Sequence, residues 1–415
     1  MSSRPSSPTA ADAAMLPPLP APPPAIRLLV PANIRHNSGG NVYNAALAQG
    51  LEQLGTEVTI QPVGGEWPVA SKEERRRLAG LLTAGTSAGA QAGSPAGVPA
   101  NTITIVDGLV ASGAPEAMEA AAAAGHPPWV LLHMPLDEHP DLEARALRAA
   151  DGVICTSGSA AAEISRRHGL AGVRAALPGT ERARVAAGSE PPRLLAVAAL
   201  LPNKDQLVLL GALARLRDLE WTAALVGSAT ADPDYARKVA AAVDRYGLGG
   251  RVQLPGELTG EALEQQWEAA DLSLLVSKVE AFGMAVTESV ARGVPVIVRA
   301  GTGAVEALGL GAETAPGPPD GAGPALPGAV VEMGGVGDSG DAGDGQSGDG
   351  DPGPLAALLR RWLTDPGLRA EWRRRALAGR ELLPGWDATA RQVLGYVAPK
   401  ASQGGHSSQP PADGE

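Results

Sequence analysis

Short apolar runs alternate with stretches of helical period along most of the chain. "IRLLVP" has the length of a buried strand, and after "ANIRHNSGGN" the residues Tyr43, Leu47, Leu51 and Leu54 recur at spacings of four, four and three before Gly55. That recurrence marks one face of a helix, and the glycine marks its end. Strand, glycine-rich loop and helix are the opening unit of a parallel α/β sheet. "TEVTIQPV", "TITIVDG", "PWVLLHMP" and "GVICTS" supply further strands, with helices between them. A second series begins near Arg193. There "LLAVAAL" is followed by a helix from about Asp205, "WTAALVG", a helix from about Asp232, "RVQLPG", a helix around "GEALEQQWEAA", "DLSLLVS", a helix from about Phe282, and "VPVIVRA". Alternation this strict requires crossovers and predicts doubly wound sheets covered on both faces.

Two such series predict two Rossmann-like domains facing a central cleft, over residues 26–190 and 191–375, with the boundary near "GSEPPR". Closing helices over 376–400 are expected to pack back toward the N-terminal domain. Residues 1–25 read as a disordered proline-rich leader and 401–415 as a disordered tail. Around 84–99, "TAGTSAGAQAGSPAGV" reads as a loop. Between about 311 and 353 the chain is rich in Gly, Pro and Asp, as in "GGVGDSGDAGDGQSGDGDPG". Such a composition buries too little apolar surface to order itself and predicts a flexible insertion.

Charge and cysteine usage narrow the partners. A formal net charge of −11 argues against nucleic acid and against an anionic membrane surface, because phosphate binding depends on clustered Lys and Arg. The arginines of "LLRRW" and "EWRRRALAGR" fit either peripheral membrane contact or a solvated helix face. Cys155 is the only cysteine, so no intrachain disulfide forms; its strand-end setting predicts a buried thiol. No stretch reaches the roughly 18 to 20 apolar residues of a membrane helix. The expected location is cytoplasmic.

In an open parallel sheet, ligands sit beyond the carboxyl ends of the strands. The first strand-to-helix loop, "NSGGN", is neither a dinucleotide fingerprint nor a P-loop. Gly39 and Gly40 permit an anion at the helix start or simply make a tight turn. His133 follows "WVLL" and points toward the expected cleft or serves structure; His126 and His139 near it have no zinc spacing. Lys204, just before a helix in "LLPNKDQ", runs against the dipole preference for acids there and suits a phosphate. In "SKVEAFGMAVTES" the chain's one phenylalanine, Phe282, precedes Gly283, with Glu280 in the loop and Glu288 in the second helical turn. These residues fit core packing and N-terminal charge matching, or they fit a polyol whose hydroxyls donate to the two carboxylates.

The stretch "SKVEAFGMAVTESVARGVPVIVRAGTGAVE" resembles the signature of retaining GT-B glycosyltransferases of family 4. The match lies at Ser277, Lys278, Glu280, Phe282, Gly283, Met284, Glu288, Gly293, Pro295 and Val296. "SGGNVYNAAL", "PNKDQLVLLGAL", "LVGS", "GLGGRVQLPGEL" and "WEAADLSLLVS" agree with the same family in order. The resemblance implies an acceptor-side N-terminal domain and a C-terminal domain that binds a nucleotide-activated sugar. It places Glu288 on the ribose, Glu280 on the transferred sugar, and the backbone of Phe282, Gly283 and Met284 near sugar and diphosphate. Lys204, Gly39 and Gly40 would serve the diphosphate and His133 the donor sugar. Gly227, Gly256 and Glu257 would line the nucleobase side, with the loop at Gly303 completing the pocket. It further implies that no cofactor or metal is needed, although Asp232-Pro233-Asp234 has the form of a metal clamp. The sequence departs from the family at Ala199, where many members carry arginine five residues before the lysine. A sugar-nucleotide epimerase of the same fold and a silent sugar-nucleotide-binding protein stand as alternatives; donor nucleotide, sugar and acceptor are not specified.

Overall fold

The computed structural model describes residues 23–34, 38–83, 102–136, 138–312, 325–333 and 350–398. The leader, the loop around 84–99 and the tail lie outside them, apart from Pro23, Pro24 and Ala25 of the leader. Two parallel six-stranded sheets carry the fold. The first comprises β1 (Ala25–Pro31), β2 (Val58–Val63), β3 (Thr102–Asp107), β4 (Trp129–Leu132), β5 (Gly152–Cys155) and β6 (Arg174–Ala175), in the order β2-β1-β3-β4-β5-β6. The second comprises β7 (Arg193–Val197), β8 (Thr222–Val226), β9 (Val252–Gly256), β10 (Leu272–Leu275), β11 (Val296–Arg299) and β12 (Gly328–Val331), in the order β12-β11-β10-β7-β8-β9.

The apolar runs become strands because both faces of each sheet are covered. In the first sheet Leu28, Ile105, Leu131 and Ile154 enter one buried layer, while Leu29, Val106, Val130, Leu132, Val153 and Cys155 enter the opposite one. Successive side chains point to opposite faces, so a continuous apolar strand serves two cores at once. The second sheet divides in the same way, with Leu194, Leu225 and Ile297 on one side and Leu195, Val226 and Val298 on the other.

The chain crosses between the halves twice, and the crossings lie side by side. The Thr180 amide donates to the Pro384 carbonyl at 2.8 Å, and Thr389 Oγ1 donates to the Leu177 carbonyl at 2.7 Å. Beyond the second crossing, the Trp386–Val397 helix buries Ala390, Val393, Leu394 and Val397 against Tyr43, Leu47 and Leu51 of the Gly39–Gln53 helix. Arg373 and Arg380 donate to the Ala186 and Ala183 carbonyls of the linker, Arg380 also to Ala291, and Arg360 pairs with Asp218 at 2.6 Å. Each of these three arginines of the basic stretches has a partner within the fold.

The helix expected from about Asp205 runs from Gln206, after a short Pro202–Lys204 turn, with Asp205 as its N-cap in a left-handed conformation at φ 56°. Two expectations are corrected. The helix expected from Phe282 starts at Met284, because Gly283 turns the chain at φ 87°. The insertion expected over 311–353 contains β12, whose "GAVV" run pairs with β11 from Val296↔Gly328 to Arg299↔Val331. Its apolar residues find a sheet edge that their glycine-rich flanks obscure in the sequence; 313–324 and 334–349 lie outside the described residues. Among the described residues no helix is long and apolar enough to cross a membrane.

The return of the last helix is testable. Leu394 is fully buried, so Leu394→Ala is expected to lower stability by about 2–5 kcal/mol, read as a lower urea midpoint at unchanged slope.

Candidate functional site

A cavity of about 450 Å³ opens between the carboxyl ends of the two sheets. One wall comes from the start of the Gly39–Gln53 helix and the loops after β3 and β4, the other from the loops after β7, β8, β9 and β10. Ser38 caps the Gly39–Gln53 helix, accepting from the Asn41 amide at 3.2 Å. Amides in a first helical turn have no intrahelical acceptor, and here Gly39 and Gly40 present that turn to the cavity.

His133 is held by a network with two members, Asn44 and Asp107, that sequence reasoning did not select. His133 Nε2 lies 2.9 Å from Asn44 Oδ1 and 3.4 Å from Asp107 Oδ2, and Asn44 Nδ2 donates to Asp107 Oδ2 at 3.2 Å. Asp107 also caps the Gly108–Gly113 helix, accepting from the Leu109 amide at 2.9 Å. Since the Asn44 amide nitrogen donates to a carboxylate, its oxygen accepts; neutral His133 therefore carries its hydrogen on Nε2 and leaves Nδ1 as an acceptor. Tyr43 meets the imidazole edge to face at 5.2 Å. Burial pushes His133 below the ordinary histidine range, with Asp107 opposing that shift. Asp107 had a signal, its place at the end of "TITIVDG"; Asn44 had none, lying in the interior of a helix.

On the opposite wall Lys204 Nζ and Glu280 Oε2 form an ion pair at 2.7 Å, joining the loops after β7 and β10. Behind it, buried Asp205 binds Arg299 at 2.7 Å and Lys278 at 3.4 Å, and the Lys278 amide donates to Asn203 at 2.7 Å. The turn at Gly283 accepts no other residue without movement, since a β-carbon there would lie 2.7 Å from Leu275 Cδ2 in a left-handed conformation. The Met284–Ala291 helix that follows has no side-chain cap. Its first turn, with Glu280, Phe282, Gly283, Met284 and Glu288, borders the cavity. Burial raises the Glu288 carboxyl above its usual range, with Arg292 opposing the rise.

Phe282 answers to both readings. It is 3 % exposed and packs with Leu275, Val286 and Val290, so the ring belongs to the core while the turn it anchors lines the cavity. Gly227 and Glu257 line the cavity, but Gly256, expected beside them, and Gly303, expected to complete the pocket, do not. Gly256 instead accepts from the Gly227 amide at 2.9 Å. Gly303 supports the loop from below: its amide donates to the Glu280 carbonyl at 2.7 Å, and a β-carbon there would lie 2.0 Å from the Ala281 carbonyl oxygen. Ala199 lines the cavity with a methyl group, its carbonyl accepting from Gln206 at 2.9 Å. Asp232 caps the Pro233–Arg245 helix through the Tyr235 amide, and Asp234 pairs with Arg237.

The lowered His133 pKa gives a signed pH dependence. The folded state binds this proton less readily than the unfolded chain, so stability falls as pH drops from about 6.5 toward the folded value. His133→Gln, which keeps a donor for Asn44, is expected to lose part of the stability decrease that wild type shows on acidification. Urea midpoints for both proteins at neutral and mildly acidic pH check this; parallel declines would refute it.

Known proteins share this fold. The "Glycosyl transferases group 1" profile matches residues 179–315, and the "Family 4 Glycosyltransferase in conflict systems" profile matches residues 255–392. A search of curated protein sequences finds no match. Sucrose-phosphate synthase from Thermosynechococcus elongatus is similar in structure, with 20 % identity over 89 % of this chain and 97 % of that one and a TM-score of 0.61. A glycosyltransferase from Rickettsia africae gives 16 % identity over 90 % and 97 % of the two chains, with a TM-score of 0.65. HepE from Anabaena, in complex with UDP and glucose, gives 17 % identity over 89 % and 98 %, with a TM-score of 0.61. These similarities establish a GT-B fold, and the profile matches identify residues 179–315 as a glycosyl transferases group 1 region, which marks the chain as a glycosyltransferase.

Proposed function

We propose that the chain moves a glycosyl group from a nucleoside diphosphate sugar to an acceptor hydroxyl, with retention at the anomeric carbon and without a metal ion. The observation that carries this reading is the Lys204–Glu280 pair beside the uncapped start of the Met284–Ala291 helix, inside the cleft between the sheets. Lys204 and the helix-start amides at Met284 suit a diphosphate; Gly39 and Gly40 would approach it from across the cleft. Glu280 would take hydroxyls of the transferred sugar and Glu288 those of the ribose, with Gly227 and Glu257 on the nucleobase side. His133 would accept a sugar hydroxyl through Nδ1. UDP is the first nucleotide to test, since HepE was solved with it.

In the reaction the bond between the anomeric carbon and the diphosphate oxygen breaks, and the acceptor oxygen bonds to that carbon. The acceptor proton passes to the leaving diphosphate. Negative charge grows on the diphosphate during this step, where fixed donors stabilise it without reorganising. Retention is favoured by the commitments of Asp107, which already accepts from Leu109 and Asn44 and so is poorly placed as a base on the opposite face. Metal independence is favoured by the engagement of Asp232 as a helix cap. We place the reaction in the cytoplasm: Cys155, the one cysteine, is buried and unpaired, so the chain needs no disulfide and no oxidising compartment.

Lys204→Ala and Glu280→Ala are each expected to lower transfer by about 100-fold or more while circular dichroism stays unchanged. A thermal-shift panel of UDP, GDP, ADP and their glucose conjugates identifies the donor, because a ligand of the folded state raises the melting temperature. Anomeric coupling constants of the product check retention, and EDTA-treated enzyme checks metal independence. Normal turnover in both variants, or no shift with any nucleotide, would overturn the assignment. An epimerised sugar nucleotide found on incubation with donor alone would indicate epimerisation instead.

A further inference from the structure

Glu306 makes a contact between the two halves that the chemistry above does not use. It lies on the Ala304–Leu310 helix after β11, yet its Oε1 accepts from the Gly158 amide at 2.8 Å and its Oε2 from the Ser159 amide at 2.9 Å. Those amides open the Gly158–His168 helix of the first half, whose N-cap is Ser157. A carboxylate across the start of an 11-residue helix gains two charge-assisted hydrogen bonds and the favourable end of the helix dipole. Gly158 permits this approach, since a β-carbon there would lie 3.2 Å from Glu306 Oε1.

Two further features tie this contact to the cleft. Gly303, at the start of the Glu306 helix, donates to the Glu280 carbonyl at 2.7 Å, so the carboxylate sits one helical turn from the support of the Glu280 loop. The cleft is also closed enough for its walls to meet, because a β-carbon on Gly39 would lie 3.5 Å from Met284 Cε.

We infer that Glu306 is a positioning residue: its carboxylate, seated on the Gly158 and Ser159 amides, clasps the two halves at the spacing that brings the first helix start and His133 over Lys204 and Glu280. The inference rests on the proposed function for the reason behind that spacing, while the clasp itself is made wholly by the chain's own residues. The halves joined only by the paired crossings at Thr180 and Pro384 would rotate apart about them, and the clasp opposes that opening.

The test is a spin-label distance measurement on the full chain, with cysteines introduced at exposed Gln53 and Lys238 and buried Cys155 retained. Glu306→Ala is expected to add a longer-distance population, lowering the ratio of short to long distances by about tenfold or more, the scale of two charge-assisted bonds. Gly158→Pro keeps the backbone of the helix start, after Ser157 in extended conformation, but removes one donor from the other side and sets its ring against the Glu306 carboxylate; it should shift the ratio the same way. Thermal melting should change little, since no core contact is lost. Saturating UDP should restore the short distance in both variants. Distributions superimposable on wild type in both variants would overturn the inference. Lengthening in both with no response to UDP supports the clasp and counts against the donor reading alone.

Discussion

The site depends on how its negative charge is held. Asp107, Glu280 and Glu288 border one cavity, and an ionised carboxylate withdrawn from water is unfavourable unless paired or hydrogen-bonded. The fold settles this residue by residue. Asp107 is satisfied by the Leu109 amide and Asn44 and Glu280 by Lys204, while burial raises the Glu288 carboxyl above its usual range and Arg292 opposes the rise. Asp205, one residue from Lys204, takes Arg299 and Lys278 for itself, which leaves the lysine to reach forward to Glu280. A diphosphate sugar would enter such a site by exchange: phosphate replaces carboxylate on the ammonium, and sugar hydroxyls replace ammonium on the carboxylate. The partners are interchanged without stranding either charge.

That exchange requires a fixed loop, and backbone packing provides it. Glu280 and Ala281 rest on Gly303, while Gly283 reverses the chain into a helix whose first residues Phe282 anchors from the core. The ring of Phe282 therefore serves a polar site through an apolar contact. Preorganisation of this kind is what allows hydrogen-bond donors to stabilise a developing charge without first rearranging.

The sequence showed the architecture because doubly buried strands must be apolar throughout and crossover helices must keep one apolar face. β12 was hidden by composition: four residues of strand between glycine-rich flanks carry too little periodicity to register, and only the neighbouring β11 edge gives them order. Lys204, Glu280 and Glu288 were legible because strand ends and helix starts are where a parallel sheet exposes chemistry. Asn44 was not, since its partners His133 and Asp107 come from two other strand ends and meet it only in three dimensions. Gly256 and Gly303 illustrate the reverse error. Both stand at the right strand ends, yet their backbones are used against neighbouring backbone instead of facing the cavity.

Ala199 bears on how the remaining groups share the work. With a methyl group where a second cation would stand, the charge of a bound diphosphate falls on Lys204 and on amides at the starts of the Gly39–Gln53 and Met284–Ala291 helices. These two helices belong to different halves, so their dipoles converge only when the cleft is shut. A side-chain cation moves with its own domain and tolerates some opening, whereas an opposing helix start acts only at contact distance, since its field decays within the first turn. Under the proposed function, alanine at position 199 would therefore spread the stabilisation over both walls and make transfer more dependent on closure. Glu306, fixed across the halves on the Gly158 and Ser159 amides, supplies the interaction that such a dependence demands.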